Sequence, residues 1–213
     1  EGNPEKTINI ESPPTALCSL VFNYQDEYRI SNQKYSDQRV PPCFISGQAL
    51  GNYTIHLQGK IGVVGIAFKP AAVFHLYGMP MYELTDERIC FSEICSESWQ
   101  ELHLSISTST SKKEKVKLLE NYLLRILEGP KYGEAVIIES ANQIFDSKGQ
   151  TNITGLLDHI PMSRRNFERK FLEEVGVSPK TYAKIRRFGY TCSLMAGNRS
   201  VNLMDVLFEG GYY

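Results

Sequence analysis

Two periodicities divide the chain. Through the first third, apolar residues come in short blocks or alternate with polar ones, the pattern of strands. Leu17-Cys-Ser-Leu-Val-Phe-Asn-Tyr24 is rich in apolar and aromatic strand formers. Pro41-Pro-Cys-Phe-Ile-Ser46 suits an edge strand, where proline's missing N–H costs nothing. Asn52-Tyr-Thr-Ile-His-Leu57 alternates, Gln58-Gly-Lys60 turns, and Ile61-Gly-Val-Val-Gly-Ile-Ala-Phe68 follows, so the last pair reads as a hairpin with a glycine-thinned second strand. Residues 1–14, with Pro4, Pro13 and Pro14 among polar neighbours, read as a loose lead-in. Several short strands ahead of any long helix predict a small sandwich or barrel.

Helical spacing takes over after Pro70, which can open a short helix through Leu76 before Gly78 and Pro80 break it. Ser96 to Leu104 predicts a second. Ser111-Lys-Lys-Glu114 has the form of a capping box, Val116, Leu119, Leu123, Ile126 and Leu127 make a stripe, and Gly129-Pro130 supplies the stop. That stripe either covers the sheet or packs on a second subunit. Glu134 to Phe145 is a further helix, with Ala135, Ile138, Ala141, Ile144 and Phe145 toward one side. Ile153 to Ile160 is a short amphipathic one; Pro161-Met162 separates it from a helix N-capped by Ser163, with Phe167 and Phe171 four apart on one face. Gly176 stops that helix. Ser178-Pro179 then starts another, which runs to about Met195 with Gly189 as a weak point worth about 1 kcal/mol. Val201 to Phe208 is the last. The predicted class is therefore α+β: a β-rich sandwich or barrel-like domain with flanking helices, then an all-α helix-turn-helix domain. The boundary falls near Gly129 to Gly133, giving a lead-in over 1–14, a β-rich domain over 15–129 and a helical domain over 130–213.

The formal net charge of −1 hides an asymmetry. Residues 151–213 hold nine Lys/Arg against six Asp/Glu, and residues 161–187 hold eight against three. Such a patch is either a solvated helix face or the footprint of a phosphate backbone. No apolar run approaches the roughly 18 residues needed to span a bilayer, and no signal peptide opens the sequence, so a cytoplasmic location is expected. The five cysteines, scattered without Cys-x-x-Cys spacing, suggest free thiols rather than a disulfide framework or zinc site.

The ordered set Leu156-Leu157, Met162-Ser163, Arg164-Arg165-x-Phe167-x-Arg169-x-Phe171, Gly176-Val-Ser-Pro179 with Tyr182, Arg187, Asp205-Val206 and Gly211-Tyr-Tyr213 resembles the DNA-binding domain of the AraC/XylS family of bacterial transcription regulators. The upstream helix Glu134 to Phe145 resembles that domain's first helix. Residues 15–128 resemble the family's β-rich N-terminal domain. The resemblance implies two helix-turn-helix units joined by one long helix, here Tyr182 to Met195, each placing a helix in the major groove of double-stranded DNA. The second recognition helix is absent from this sequence, so the match is cut short inside the second unit. Pro161 stands where the family's turn has Gly, and Gly189 interrupts the connector.

On that basis Arg165, Glu168 and Arg169 are the expected base contacts, the arginines to guanine O6/N7 and Glu168 to cytosine N4. Arg164, Lys170 and Lys184 are the expected phosphate contacts. Arg186 and Arg187 either join these or bridge the two subdomains. A small-molecule effector and a homodimer are further expected partners; no cofactor and no metal are implied. Tyr24, Tyr28, Tyr53 and Trp99 are aromatic candidates for a sensor pocket. Two other classes stay open. One is an effector-binding module without DNA binding. The other is a cupin-like enzyme, although His56, His75 and His103 are isolated in the sequence and no nucleophile elbow or phosphate loop appears.

Overall fold

The computed structural model describes residues 6–94, 99–197 and 202–212. In chain order its strands are β1 (Ile8–Ser12), β2 (Cys18–Asn23), β3 (Arg29–Ser31), β4 (Gln38–Arg39), β5 (Cys43–Ser46), β6 (Tyr53–Leu57), β7 (Val63–Phe68) and β8 (Arg88–Cys90). Its helices are α1 (Ala72–Tyr77), α2 (Trp99–Thr108), α3 (Lys112–Leu127), α4 (Ala135–Asp146), α5 (Ile153–Leu157), α6 (Arg164–Val175), α7 (Pro179–Gly197) and α8 (Leu203–Glu209).

Two antiparallel sheets form, in the orders β1-β6-β3-β4 and β7-β2-β5-β8. The run around β2 is apolar on both faces because both are covered. Leu20, Phe22, Cys43 and Ile45 face a helical layer that supplies Leu102, Ile106, Leu119 and Tyr122. Val21 and Phe44 face the other sheet, meeting Ile30, Tyr53, Ile55 and Leu57. A strand buried on both sides must be near-continuously apolar, as this one is.

Three strand expectations change. The 52–57 and 61–68 runs are strands but not a hairpin: β6 pairs with β1 and β3, whereas β7 pairs with β2. The link between them crosses from sheet to sheet, fastened by Tyr24 N–H to Gly62 O and by Lys60 N–H to the Asp26 carboxylate. The Tyr24 bond, with Asp26 N–H to Lys60 O, prolongs the β2–β7 ladder and leaves β6 to the other sheet. The supposed lead-in contains β1, whose Ile8 and Ile10 sit opposite Leu57 and Ile55. And β5 is an inner strand between β2 and β8; Pro41 and Pro42 precede the ladder instead of marking an edge.

The Ser111 hydroxyl accepts from Glu114 N–H, as the capping box predicts. The stripe of α3 is rotated from the expected one, because Leu119 and Tyr122 are buried while Val116, Leu124 and Leu127 are exposed. Lys115 is buried too, its ammonium bonded to the Ile106 and Ser109 carbonyls and lying 4.0 Å from the Tyr24 ring centre. The expected helix from Ser96 is α2, which begins at Trp99; Ser96 to Ser98 lie outside the described residues, as does Val201 before α8.

The C-terminal helices share a core of Ile137, Ala141 and Ile144 from α4, Phe167, Phe171 and Val175 from α6, and Tyr182 and Ile185 from α7. Ala16 and Ala71 of the β-rich half belong to the same core. Gly176, at φ 95°, caps α6 in the left-handed region, and a Cβ there would stand 2.8 Å from Met81 O. The Thr85 hydroxyl donates to Gly176 O across this contact at 2.8 Å. Gly189 permits a second close approach: a Cβ there would stand 2.7 Å from Pro14 O. Its helix-weakening hydrogen atom is what lets α7 run unbroken beneath residues 14 and 15.

Candidate nucleic-acid interface

Helix α6 starts where its sequence says it should. Ser163, with extended backbone, accepts from Asn166 N–H, and Met162 N–H closes a tight turn onto Ile160 O. The Pro161 turn therefore forms without glycine. Asn152 caps α5 likewise, accepting from Thr154 and Gly155 N–H. Phe167 and Phe171 are wholly buried, their rings 5.6 Å apart, and Phe171 meets Tyr182 at 6.1 Å. These contacts fix which face of α6 points outward.

Arg165 and Arg169, one turn apart, lie on that outward face, and both are exposed. Arg165 has no hydrogen bond or ion pair among the described residues. Arg169 reaches Glu173 at 3.3 Å and Asn166 at 3.0 Å, and Arg164 reaches Glu168 at 2.9 Å. Exposed pairs at this spacing are worth about 0.3–0.5 kcal/mol, and the Arg-before-Glu order is the weaker one, so an incoming phosphate or base edge can displace either carboxylate.

Lys170 is placed differently. It lies on the flank of α6 toward α4, its side chain only 25% exposed, and forms an ion pair with Glu134 at 2.6 Å. Its charge is spent joining two helices. Lys184 is exposed on α7 and lines a cleft of about 600 Å³ between α5, α6 and α7, together with Arg164, Glu168, Lys180 and Arg187. The sequence reading passed over Lys180, whose signal was its spacing of four from Lys184.

Of Arg186 and Arg187, Arg187 reaches the second unit, whereas Arg186 stays within the first. The Arg186 guanidinium donates to Phe145 O at 3.0 Å and stacks 3.9 Å from the Phe145 ring centre. Arg187 donates to Gly149 O and to Gly211 O, tying α7 both to the end of α4 and to the segment after α8. Also missed was Glu174. It is buried at the end of α6 and accepts Glu134 N–H; burial first, with Glu134 and Glu173 nearby, pushes its carboxyl up to about 7.

A second cleft, of about 680 Å³, lies between the two halves. Its walls are Pro13, Pro14, Leu50, Ile185, Phe188 and Tyr212, with Lys184 and Arg187 at its edge. None of the four aromatic sensor candidates lines it. Tyr53 borders a separate cavity of about 60 Å³, and Arg88 lies 4.3 Å from its ring centre. Tyr28 is core, with burial pushing its hydroxyl up to about 12; Tyr24 lies beneath Lys115, and Trp99 packs on His103. His56, His75 and His103 each have a structural partner. His56 bridges Ser31 and Asn9 across three strands, His75 meets Tyr132 O, and His103 meets Asn23 O. Among the described residues no three His, Cys, Asp or Glu gather as a metal site, and no helix is long and apolar enough to cross a membrane.

Residues 2–90, which span β1 to β8, match a family described as Domain of unknown function (DUF6597). No curated protein matches the chain. Among solved structures, ToxT from Vibrio cholerae is similar at 9% identity and a TM-score of 0.49, over 97% of this chain and 89% of that one. ToxT from Vibrio cholerae O395 bound to (E)-4-(8-methylnaphthalen-1-yl)but-3-enoic acid gives 9% and 0.47 over 97% and 89%. Unsaturated fatty acid bound ToxT from Vibrio cholerae strain SCE256 gives 11% and 0.47 over 100% and 88%.

Proposed function

We propose that this chain is a sequence-specific DNA-binding transcription regulator of the AraC/XylS type, acting in the cytoplasm. Its β-rich domain, which takes in β1 and runs to residue 129, senses an effector or dimerises, and its helical domain, over 130–213, reads DNA. The observation that carries this reading is the presentation of α6: buried Phe167 and Phe171 fix its inner face, and Arg165 and Arg169 stand exposed one turn apart on the outer one. A helix so held, preceded by the short α5 and a tight turn, is the form that enters a major groove. Arg165 and Arg169 address guanine and Glu168 addresses cytosine, while Arg164 and Lys184 meet phosphate. The salt bridge to Glu134 leaves Lys170 the weakest of the expected phosphate contacts.

The cleft between the two halves is the effector site in this reading. Its apolar walls and cationic edge suit a molecule with an apolar body and an acidic head. The exposed Val116, Leu124 and Leu127 on α3 offer a face for a second copy.

Selection from random duplexes tests the reading. Enrichment of one short motif, bound in a salt-sensitive way, is expected; a pool that stays random after repeated rounds contradicts it.

A further inference from the structure

We propose that the free edge of β7 is a docking site for an extended segment of a partner protein, which adds to the sheet as a further strand and carries acidic residues at its ends. The inference stands apart from the DNA reading above. Tyr24 N–H donates to Gly62 O, and this sets the phase of the β2–β7 ladder. Bonded residues alternate along an antiparallel pair, so Gly62, Val64, Ile66 and Phe68 turn their backbone groups to β2, whereas Val63, Gly65 and Ala67 turn theirs outward. β7 ends its sheet, and none of those outward residues has a backbone partner beyond it among the described residues. Their N–H and C=O groups form an open template for another strand.

The other edges are blunted. β4 has two residues and β8 three, and β1 carries Asn9 and Glu11, whose side chains are tied to His56, Asn52 and Thr54. β7 has six residues with neither a charge nor a proline. Val63, Gly65 and Ala67 share the face of Val21, which looks toward the second sheet, yet all three are exposed. The sandwich is therefore open along β7, and the small Gly65 and Ala67 leave room for larger apolar side chains on an incoming strand. Lys60 and Lys69 flank the strand, both exposed and neither ion-paired among the described residues; Asp26 takes the backbone N–H of Lys60, not its ammonium. These lysines select the occupant. A second copy pairing antiparallel through β7 would set Gly65 near Gly65 and Lys60 of one copy beside Lys69 of the other, leaving the gap unfilled and like charges adjacent. A strand with large apolar residues and acidic ends fills the gap and meets both lysines.

The experiment uses the full chain and a short fluorescent peptide of alternating Val and Thr with Asp at both ends, the same peptide with Lys at both ends being the control. Binding is followed by anisotropy and backbone amide exchange by NMR. The Asp-ended peptide should bind and slow exchange at Val63, Gly65 and Ala67, the alternate amides that β2 leaves free, and the Lys-ended one should not. Ala67→Pro removes an outward N–H that the sheet does not use. It should weaken binding about tenfold or more, the worth of a backbone bond and the close approach that goes with it. Lys60→Gln/Lys69→Gln, which leaves the backbone untouched, should erase the preference for acidic ends. Equal binding of the two peptides by the wild type, or an Asp-ended peptide that protects none of the three amides, overturns the proposal. So does a chain that sediments as a dimer with those amides already protected, which would make the edge an interface between copies.

Discussion

The carboxylate of Glu174 receives the backbone N–H of Glu134 on both its oxygens, at 3.1 and 3.2 Å, so the last turn of α6 caps the first turn of α4. Glu134 is the N-cap residue of α4, yet its own side chain makes no cap; it pairs with Lys170. Two helices distant in sequence are thus locked at the start of the C-terminal half.

This lock has a pH signature. Glu174 is pushed by burial from 4.5 up to about 7, with Glu134, Glu173 and Lys170 facing it. The fold binds its proton more tightly than the unfolded chain does. Its contribution is therefore complete below about 4.5 and is lost as pH rises through about 7. The span corresponds to at most about 3 kcal/mol. Urea unfolding of the wild type should give lower stability at pH 8 than at pH 5, and Glu174→Gln, which keeps an acceptor oxygen, should flatten that difference. Equal pH dependence in both proteins would contradict the assignment.

Tyr182 tests the seam between the halves. Its buried hydroxyl donates to Ala16 O at 3.0 Å, and burial, with Cys18 beside it, holds the hydroxyl protonated. Tyr182→Phe leaves a buried carbonyl unpaired, at a cost of about 1–3 kcal/mol. Chemical denaturation followed in both halves should show them losing stability together.

Gly189→Ala opposes two effects. Alanine gains about 1 kcal/mol in a helix interior. Its Cβ, however, would press on Pro14 O and lie 3.2 Å from Thr15 Cα, both backbone atoms that cannot rotate aside. Overpacking of this kind costs about 1–3 kcal/mol, so a net fall of a few degrees in Tm is expected. A rise in Tm would show that residues 14 and 15 do not hold against α7.

Glu168 separates two roles for one carboxylate. If it reads cytosine, Glu168→Gln weakens the preferred duplex more than a scrambled one. If it only restrains Arg164, the substitution strengthens both duplexes alike, since it frees a cation for phosphate. Parallel titrations of the two duplexes decide it, and the loss of preference is the expected result.

Much of the helical half was legible because its signals are local. Ser163 and Gly176 act within one turn, and a spacing of four put Phe167 and Phe171 on one buried face. Strand partnership was not legible. β6 and β7 look like a hairpin because only a short turn separates them, but pairing is decided by which sheet buries Ile55 and which buries Ile66, a long-range outcome. The same holds for α3, where a periodic stripe misjudged the buried face once Lys115 proved able to bury itself on carbonyls and Tyr24. For the candidate interface, sequence placed Arg164, Arg165, Glu168 and Arg169 on α6. It had no means of showing that Glu134 would engage Lys170, or that α5 and α7 would enclose Lys180 and Lys184 in one cleft.

The most direct measurement is the ratio of affinities for a selected duplex and its scrambled counterpart, at one fixed salt concentration, for the wild type and Arg165→Ala. Arg165 is exposed and unpaired among the described residues, so its loss leaves the fold intact. The wild type should prefer the selected duplex, and Arg165→Ala should lose about 1–3 kcal/mol of that preference while keeping most of its affinity for the scrambled one. An unchanged ratio would contradict the assignment of α6 as the helix that reads DNA.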